Sequence, residues 1–250
     1  MLGIKAPKVF FLHVPKCGGI SVDTAFRRKY RPSQVFRLEA PPSARAADAF
    51  FAGLDVPRDQ YFHVLRLREA LLAYAIARKP TRYISGHFAF SERIYDELGR
   101  GWAFVTVLRD PVSRWLSHYL YNRYKDRPGR HCGIDDEIEE VLVSGRGRSW
   151  GNEYVKYYGG LREDGEYRSD EAIEDAVENL RRFSAVGRLE KLDGFVAQVR
   201  DSIGLSLSIP RKNRSPVSPE LKKEMVTESI RSRLREVCAP DLEVYQSAAR

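Results

Sequence analysis

The run Val9-Phe-Phe-Leu-His-Val-Pro-Lys-Cys-Gly-Gly-Ile-Ser21 decides how this chain is read. Val9 to Val14 is apolar and β-prone, the pattern of a strand buried on both faces. A turn follows at Gly18 and Gly19, and a helix is predicted from about Ile20 to Lys29. Strand, glycine turn and helix start together aim several backbone N–H groups at one point, and the helix dipole adds positive potential there. Glycine lets the backbone approach an anion closely. Lys16 adds a full charge and Ser21 a hydroxyl donor. This is an arrangement for binding an anion, although a glycine-rich connector with a solvated lysine has the same local sequence. The pattern G-x-x-x-x-G-K-[ST] is absent. The lysine precedes the glycines, and no Lys-Ser/Thr pair opens the helix to hold phosphate and magnesium.

Working outward, Ala103-Phe-Val-Thr-Val-Leu108 is a second buried strand. Asp110 and Pro111 then open a helix, as N-cap and first-turn residue, that runs to about Tyr124. Residues 31–59 carry several prolines and read as loop, with one short helix around Ala44 to Ala52. Glu69 to Arg78 reads as helix, ended by Pro80, and Arg82 to Ser85 as a short strand. Lys125 to Gly133 reads as loop. Ser169 caps an amphipathic helix with Ile173, Ala176, Val177 and Leu180 on one face. Ser184 to Val186 is a third strand candidate, Lys191 to Ile203 a further helix, and Ser218-Pro219-Glu220 the start of a helical carboxyl-terminal region. Strands alternating with helices predict a single α/β domain over residues 1–250, with a parallel sheet covered on both faces. Ligands of such sheets bind beyond the carboxyl ends of the strands.

The 250 residues suffice for one substantial core, and the net charge of +8 points to anionic partners: a nucleotide, a nucleic acid, an acidic glycan or a membrane surface. The three cysteines, Cys17, Cys132 and Cys238, are far apart, which argues against a disulfide framework or structural zinc and suits a reducing, cytoplasmic setting. No apolar run reaches membrane-spanning length, so no stable membrane insertion is expected. The basic residues are scattered and match no nucleic-acid motif, so no nucleic-acid partner is expected.

A second constellation follows the second strand. Arg109 lies just past its end and Ser117 eight residues later on the next helix. A strand-end guanidinium and an early-helix hydroxyl can converge on one phosphate. A surface arginine and an ordinary helical serine fit the same residues.

Pro15-Lys16-Cys17-Gly18-Gly19-Ile20-Ser21 resembles the 5′-phosphosulfate loop of sulfotransferases that use 3′-phosphoadenosine 5′-phosphosulfate (PAPS), commonly Pro-Lys-Thr/Cys-Gly-Gly/Thr-Thr-Ser. Arg109-Asp-Pro-Val-Ser-Arg114-Trp-Leu-Ser117-His-Tyr119 is similar to their 3′-phosphate motif. Weaker likeness runs through Asn152–Gly160, Ala185–Glu190, Pro210–Pro216 and Asp241–Tyr245. The resemblance implies a P-loop-NTPase-like three-layer fold with a central parallel sheet. It implies PAPS as donor and its 3′,5′-bisphosphate (PAP) as product. No metal is expected, because a sulfuryl group carries less charge than a phosphoryl group and no aspartate stands ready to bind magnesium as kinases require. Lys16 would contact the bridging oxygen and 5′-phosphate, Gly18, Gly19 and Ser21 would wrap that phosphate, and Arg109 with Ser117 would bind the 3′-phosphate. Pro15, Cys17 and Ile20 complete the loop. Ile20 departs from the family's threonine, which leaves more of the grip to backbone donors. Arg211 and Lys212, with Arg214, become a clamp over the nucleotide or an acidic acceptor in the family reading, and a solvated loop in the plain one.

Sulfuryl transfer needs a base for the acceptor hydroxyl, with a pKa near neutrality. Among five histidines, His87 in Ile84-Ser-Gly-His87-Phe88 ends a strand. It is similar to the Gly-His turn of the glycan 2-O-sulfotransferase branch, where a histidine serves as base. His13 is a supporting candidate, with Glu92 and Asp110 lesser alternatives. A carbohydrate acceptor follows from the same likeness. The alternatives are a non-catalytic nucleotide- or nucleic-acid-binding module and a P-loop kinase.

Overall fold

Along Lys8–Leu12 (β1), Val9 and Phe11 point to one apolar cluster and Phe10 and Leu12 to another, all four fully buried. A strand without a wet face stands inside a sheet that carries helices on both sides. A computed structural model describes residues 6–54, 60–124, 133–162, 165–210 and 217–248. Val35–Arg37 (β2), Tyr83–Gly86 (β3), Trp102–Leu108 (β4) and Ala185–Arg188 (β5) join β1 in one sheet. Its order is β2-β3-β1-β4-β5 and every pairing is parallel.

The helices are Gly19–Arg27 (α1), Ala40–Phe51 (α2), Gln60–Ala77 (α3), Glu92–Glu97 (α4), Pro111–Tyr124 (α5), Ile138–Val143 (α6) and Gly145–Trp150 (α7). They continue with Glu153–Tyr158 (α8), Asp170–Arg181 (α9), Leu192–Ile203 (α10), Pro219–Met225 (α11), Glu228–Val237 (α12) and Ala239–Ser247 (α13). Val22 and Phe26 of α1 with Phe195 and Val199 of α10 cover the face of Val9, Phe11, Val105 and Val107. Helices α3, α4, α8, α9 and α13 cover the face of Phe10, Leu12, Phe104 and Leu108. This is the expected three-layer arrangement. A further apolar cluster gathers α5, α6, Trp150 of α7 and α12 around Trp115. Among the described residues no helix is long and apolar enough to cross a membrane.

Two stretches depart from expectation. Residues 31–54 hold β2, which pairs with β3, and an α2 that starts at Ala40 with Pro41 and Pro42 in its first turn. Proline there loses no helical hydrogen bond, so it marks a start rather than loop. Helix α3 also begins well before Glu69.

The topology sets the place of the site. From β1 the chain goes to β2 and β3 on one side and to β4 and β5 on the other, so the crevice opens where β1 meets its neighbours. Leu12 pairs with Gly86, His13 N donates to Gly86 O at 3.0 Å, and Thr106 Oγ1 donates to Leu12 O at 2.8 Å. Buried Asp23 of α1 accepts from Ser85 Oγ (2.6 Å) and Tyr83 OH (3.0 Å), which fastens α1 beside the end of β3.

Candidate functional site

The loop after β1 is held in a tense shape. Lys16 sits at φ 71°, in the left-handed region. For a residue with a Cβ that conformation costs about 1–2 kcal/mol. Gly18, at φ 73°, is the N-cap of α1 and supplies no side-chain cap, so no side chain covers the first N–H groups of the helix. A Cβ on Gly19 would lie 1.9 Å from Nε2 of His13, and one on Gly18 would lie 2.5 Å from Cδ1 of Leu189. The glycines are thus required by close packing against both flanks. Ser21 is buried, and its N–H closes the turn on Gly18 O at 3.1 Å. Ile20 is 57% exposed, an apolar side chain at the mouth of the loop.

Arg109 leaves the end of β4 and its Nη1 donates to Lys16 O at 3.2 Å. The two constellations, far apart in sequence, therefore meet. Asp110 caps α5 as expected, with Oδ1 accepting from Ser113 N at 2.8 Å. The Lys16 ammonium lies 3.5 Å from the centre of the Tyr121 ring, a cation–π contact. Tyr121 is one turn beyond Ser117, and residues four apart share a helix face. Ser117 thus belongs to the side of α5 turned toward Lys16.

His87 follows β3. Its Nδ1 donates to His13 O at 2.5 Å, and the two imidazoles are 4.5 Å apart. That bond assigns the proton to Nδ1 and leaves the Nε2 lone pair available. Buried Arg68 holds the backbone from the other side, Nη1 donating to His87 O at 2.9 Å. Burial lowers the His87 pKa to about 4, and the charges of Arg68 and Arg37 push the same way. A near-neutral pKa was expected. The half-buried imidazole is instead kept uncharged by desolvation.

Three tyrosines and two basic side chains that the sequence did not single out complete the surroundings. Tyr154 OH accepts from Arg109 N (2.8 Å), donates to Arg109 O (2.5 Å) and lies 3.4 Å from Cys17 Sγ. Tyr158 OH shares a 2.7 Å hydrogen bond with Thr106 Oγ1. With Tyr121 and Arg68, already placed, the fifth is His118, which stacks on Trp150 at 4.3 Å. Its pKa is lowered chiefly by burial, with Arg114, Lys16 and His87 adding to the effect. Glu92 pairs with Arg182 at 2.6 Å instead of facing His87. Arg211, Lys212 and Arg214 lie outside the described residues.

A cleft of about 500 Å³ opens beside α5, lined by Asp110, Ser113, Leu116, Lys223, Arg231 and Arg235 among others. It shares Asp110 with the strand-end motif but neither Lys16 nor His87. Among the described residues no group of three or more His, Cys, Asp or Glu side chains is arranged to hold a metal ion. The assembled site offers an uncapped helix start, two cations and an uncharged imidazole along one sheet edge. No protein-family model matches this chain, and no curated protein matches it either.

Proposed function

We propose that this protein is a sulfotransferase that moves a sulfuryl group from PAPS to a hydroxyl, with a carbohydrate as acceptor. The observation that carries the reading is the contact of the Arg109 guanidinium with the Lys16 backbone, 3.2 Å long. One bisphosphorylated nucleotide needs both of its ends held along a single edge, and that contact joins the two grips. His87 supports the same reading, because the bond from its Nδ1 to His13 O leaves Nε2 as the unprotonated nitrogen.

In this scheme Lys16 and the loop N–H groups neutralise the 5′-phosphate as it departs. Arg109 and Ser117 hold the 3′-phosphate, so that binding remote from the reaction orients the donor. The acceptor oxygen attacks sulfur in line with the 5′-phosphate oxygen. The S–O bond to that oxygen breaks and its electron pair passes to the phosphate. His87 Nε2 takes the acceptor's proton. Arrival of the anionic donor raises the basicity of His87 from its low resting value.

The test is an acceptor screen with labelled PAPS over polysaccharides, lipids and small alcohols. The expected outcome is label in a polysaccharide that persists with chelator present. It falls about 100-fold or more in Lys16→Ala, the scale of losing one stabiliser of developing charge, and by a similar factor in His87→Ala. Magnesium-dependent transfer from ATP, or DNA binding tighter than that of the desulfated nucleotide, would overturn the reading.

A further inference from the structure

We infer that Tyr154 is a positioning residue that locks the loop after β1 to the Arg109 strand end, so that the two grips act as one preformed cradle. The significance for donor binding rests on the function proposed above, but the lock itself does not.

A phenol has one O–H and two acceptor positions. The Tyr154 hydroxyl donates to Arg109 O, accepts from Arg109 N and has the Cys17 thiol at 3.4 Å for its second acceptor position. Its proton and one acceptor position are used on Arg109, the thiol lies against the other, and every partner belongs to one of the two constellations. The ring is fully buried, and burial holds the phenol's pKa well above its ordinary value, so the donated proton stays in place. Cys17 is fully buried as well, its pKa pushed up to about 11 by desolvation, so the thiol stays protonated between Tyr154 OH and Pro15 O, the latter at 3.8 Å. The anchor of the lock is firm. Tyr154 N donates to Asp241 Oδ1 at 2.8 Å, and its ring lies beside that of Tyr158, 6.0 Å away. Without the hydroxyl, the Arg109 amide loses its partner in a place with little access to water, and the Cys17 thiol keeps only Pro15 O, within its own loop. The loop and the strand end are then free to move independently.

Tyr158 provides the control. It sits one turn later on α8, is equally buried and also hydrogen-bonds at its hydroxyl, but to Thr106 within the sheet rather than to the loop. Removing either hydroxyl loosens the core. Only Tyr154→Phe should loosen the loop.

The experiment compares wild type, Tyr154→Phe and Tyr158→Phe in the full chain. The rate at which iodoacetamide modifies Cys17 is followed by mass spectrometry of its peptide. Adenosine 3′,5′-bisphosphate affinity is followed by calorimetry. In Tyr154→Phe, Cys17 should react about tenfold faster and the nucleotide should bind about tenfold more weakly, the factor that corresponds to one hydrogen bond of about 1.4 kcal/mol. Tyr158→Phe should leave both near wild type. Cys17 modification no faster in Tyr154→Phe than in Tyr158→Phe overturns the lock. If wild type binds no bisphosphate, the sulfotransferase reading fails while Cys17 reactivity still decides the lock. Should Tyr154→Phe not fold, Cys17→Ala cuts the contact from the loop side. Amide exchange over residues 15–19 then rises if the lock exists and stays at the wild-type rate if it does not.

Discussion

Lys16 combines a strained backbone with the charge on which the proposed chemistry depends. At φ 71° an L-residue pays a steric penalty that glycine does not, and such penalties persist where the surroundings enforce them. Lys16→Ala and Lys16→Gly should therefore both lose transfer activity, yet Lys16→Gly should be the more stable by about 1 kcal/mol in urea unfolding. Equal stability of the two variants would refute the strain. His87 makes a second residue-level prediction, about pH. Burial puts its folded pKa at about 4 against an ordinary 6.5. Between these values the unfolded chain binds the extra proton, so this contribution is complete above pH 6.5 and is lost as pH falls toward 4. His13 and His118 shift in the same direction, again mainly through burial. Asp241 works oppositely. Desolvation raises its carboxyl to about 7, so its contribution declines as pH rises from 3.8 to 7. Replacing His87 with glutamine should flatten the dependence of stability on pH between 6.5 and 4, read from urea midpoints across that range. An unchanged slope would mean that His87 is not held neutral in the fold.

At the scale of elements, legibility followed how local the cause of each element is. Strands β1 and β4 could be read because a continuous apolar run has few other uses. Helices α5 and α9 could be read because their caps are side chains adjacent in sequence. Ser169 Oγ accepts from Ala172 N at 3.3 Å, and Asp110 Oδ1 accepts from Ser113 N. Strand β2 has three residues and exists because β3 is beside it, so its sequence carries little sign of it. The short helices α6, α7 and α8 are likewise sustained by what they pack against. The site divides in the same way. The glycine loop, Arg109 and His87 sit at strand ends, where chemistry and position coincide in the sequence. Tyr154, Tyr121 and Arg68 reach the candidate site from α8, α5 and α3, and nothing local tells a tyrosine that stabilises a core from one whose hydroxyl ends at the loop after β1. The low pKa of His87 was hidden for the same reason, since burial is a property of the whole packing.

At the scale of the molecule, the carboxyl-terminal helix closes back on the site and braces it at two points. Tyr245 OH donates to Glu190 Oε2 at 3.3 Å, and Glu190 Oε1 accepts from Asp110 N at 3.0 Å, which ties α13 to the start of α5. The Arg188 guanidinium lies 4.2 Å over the Tyr245 ring and its Nη2 donates to Tyr245 O at 2.9 Å. The second brace is Asp241, fully buried, whose Oδ1 accepts from both Tyr154 N and Val155 N at the start of α8. A carboxylate placed there satisfies two orphan donors and complements the helix dipole. Asp241→Ala leaves both donors unpaired in a dry interior and should lower stability by about 2 kcal/mol. Through Tyr154 it should also speed the modification of Cys17, although residue 241 does not touch the loop. Asp241→Asn retains a carbonyl oxygen for the same two amides and needs no proton at neutral pH. It should recover most of the stability and the wild-type rate at Cys17. Urea unfolding and thiol modification of the three proteins decide the matter. If asparagine fails as badly as alanine, the charge of Asp241 toward Arg114 is what α8 depends on, and the brace is electrostatic rather than a helix cap.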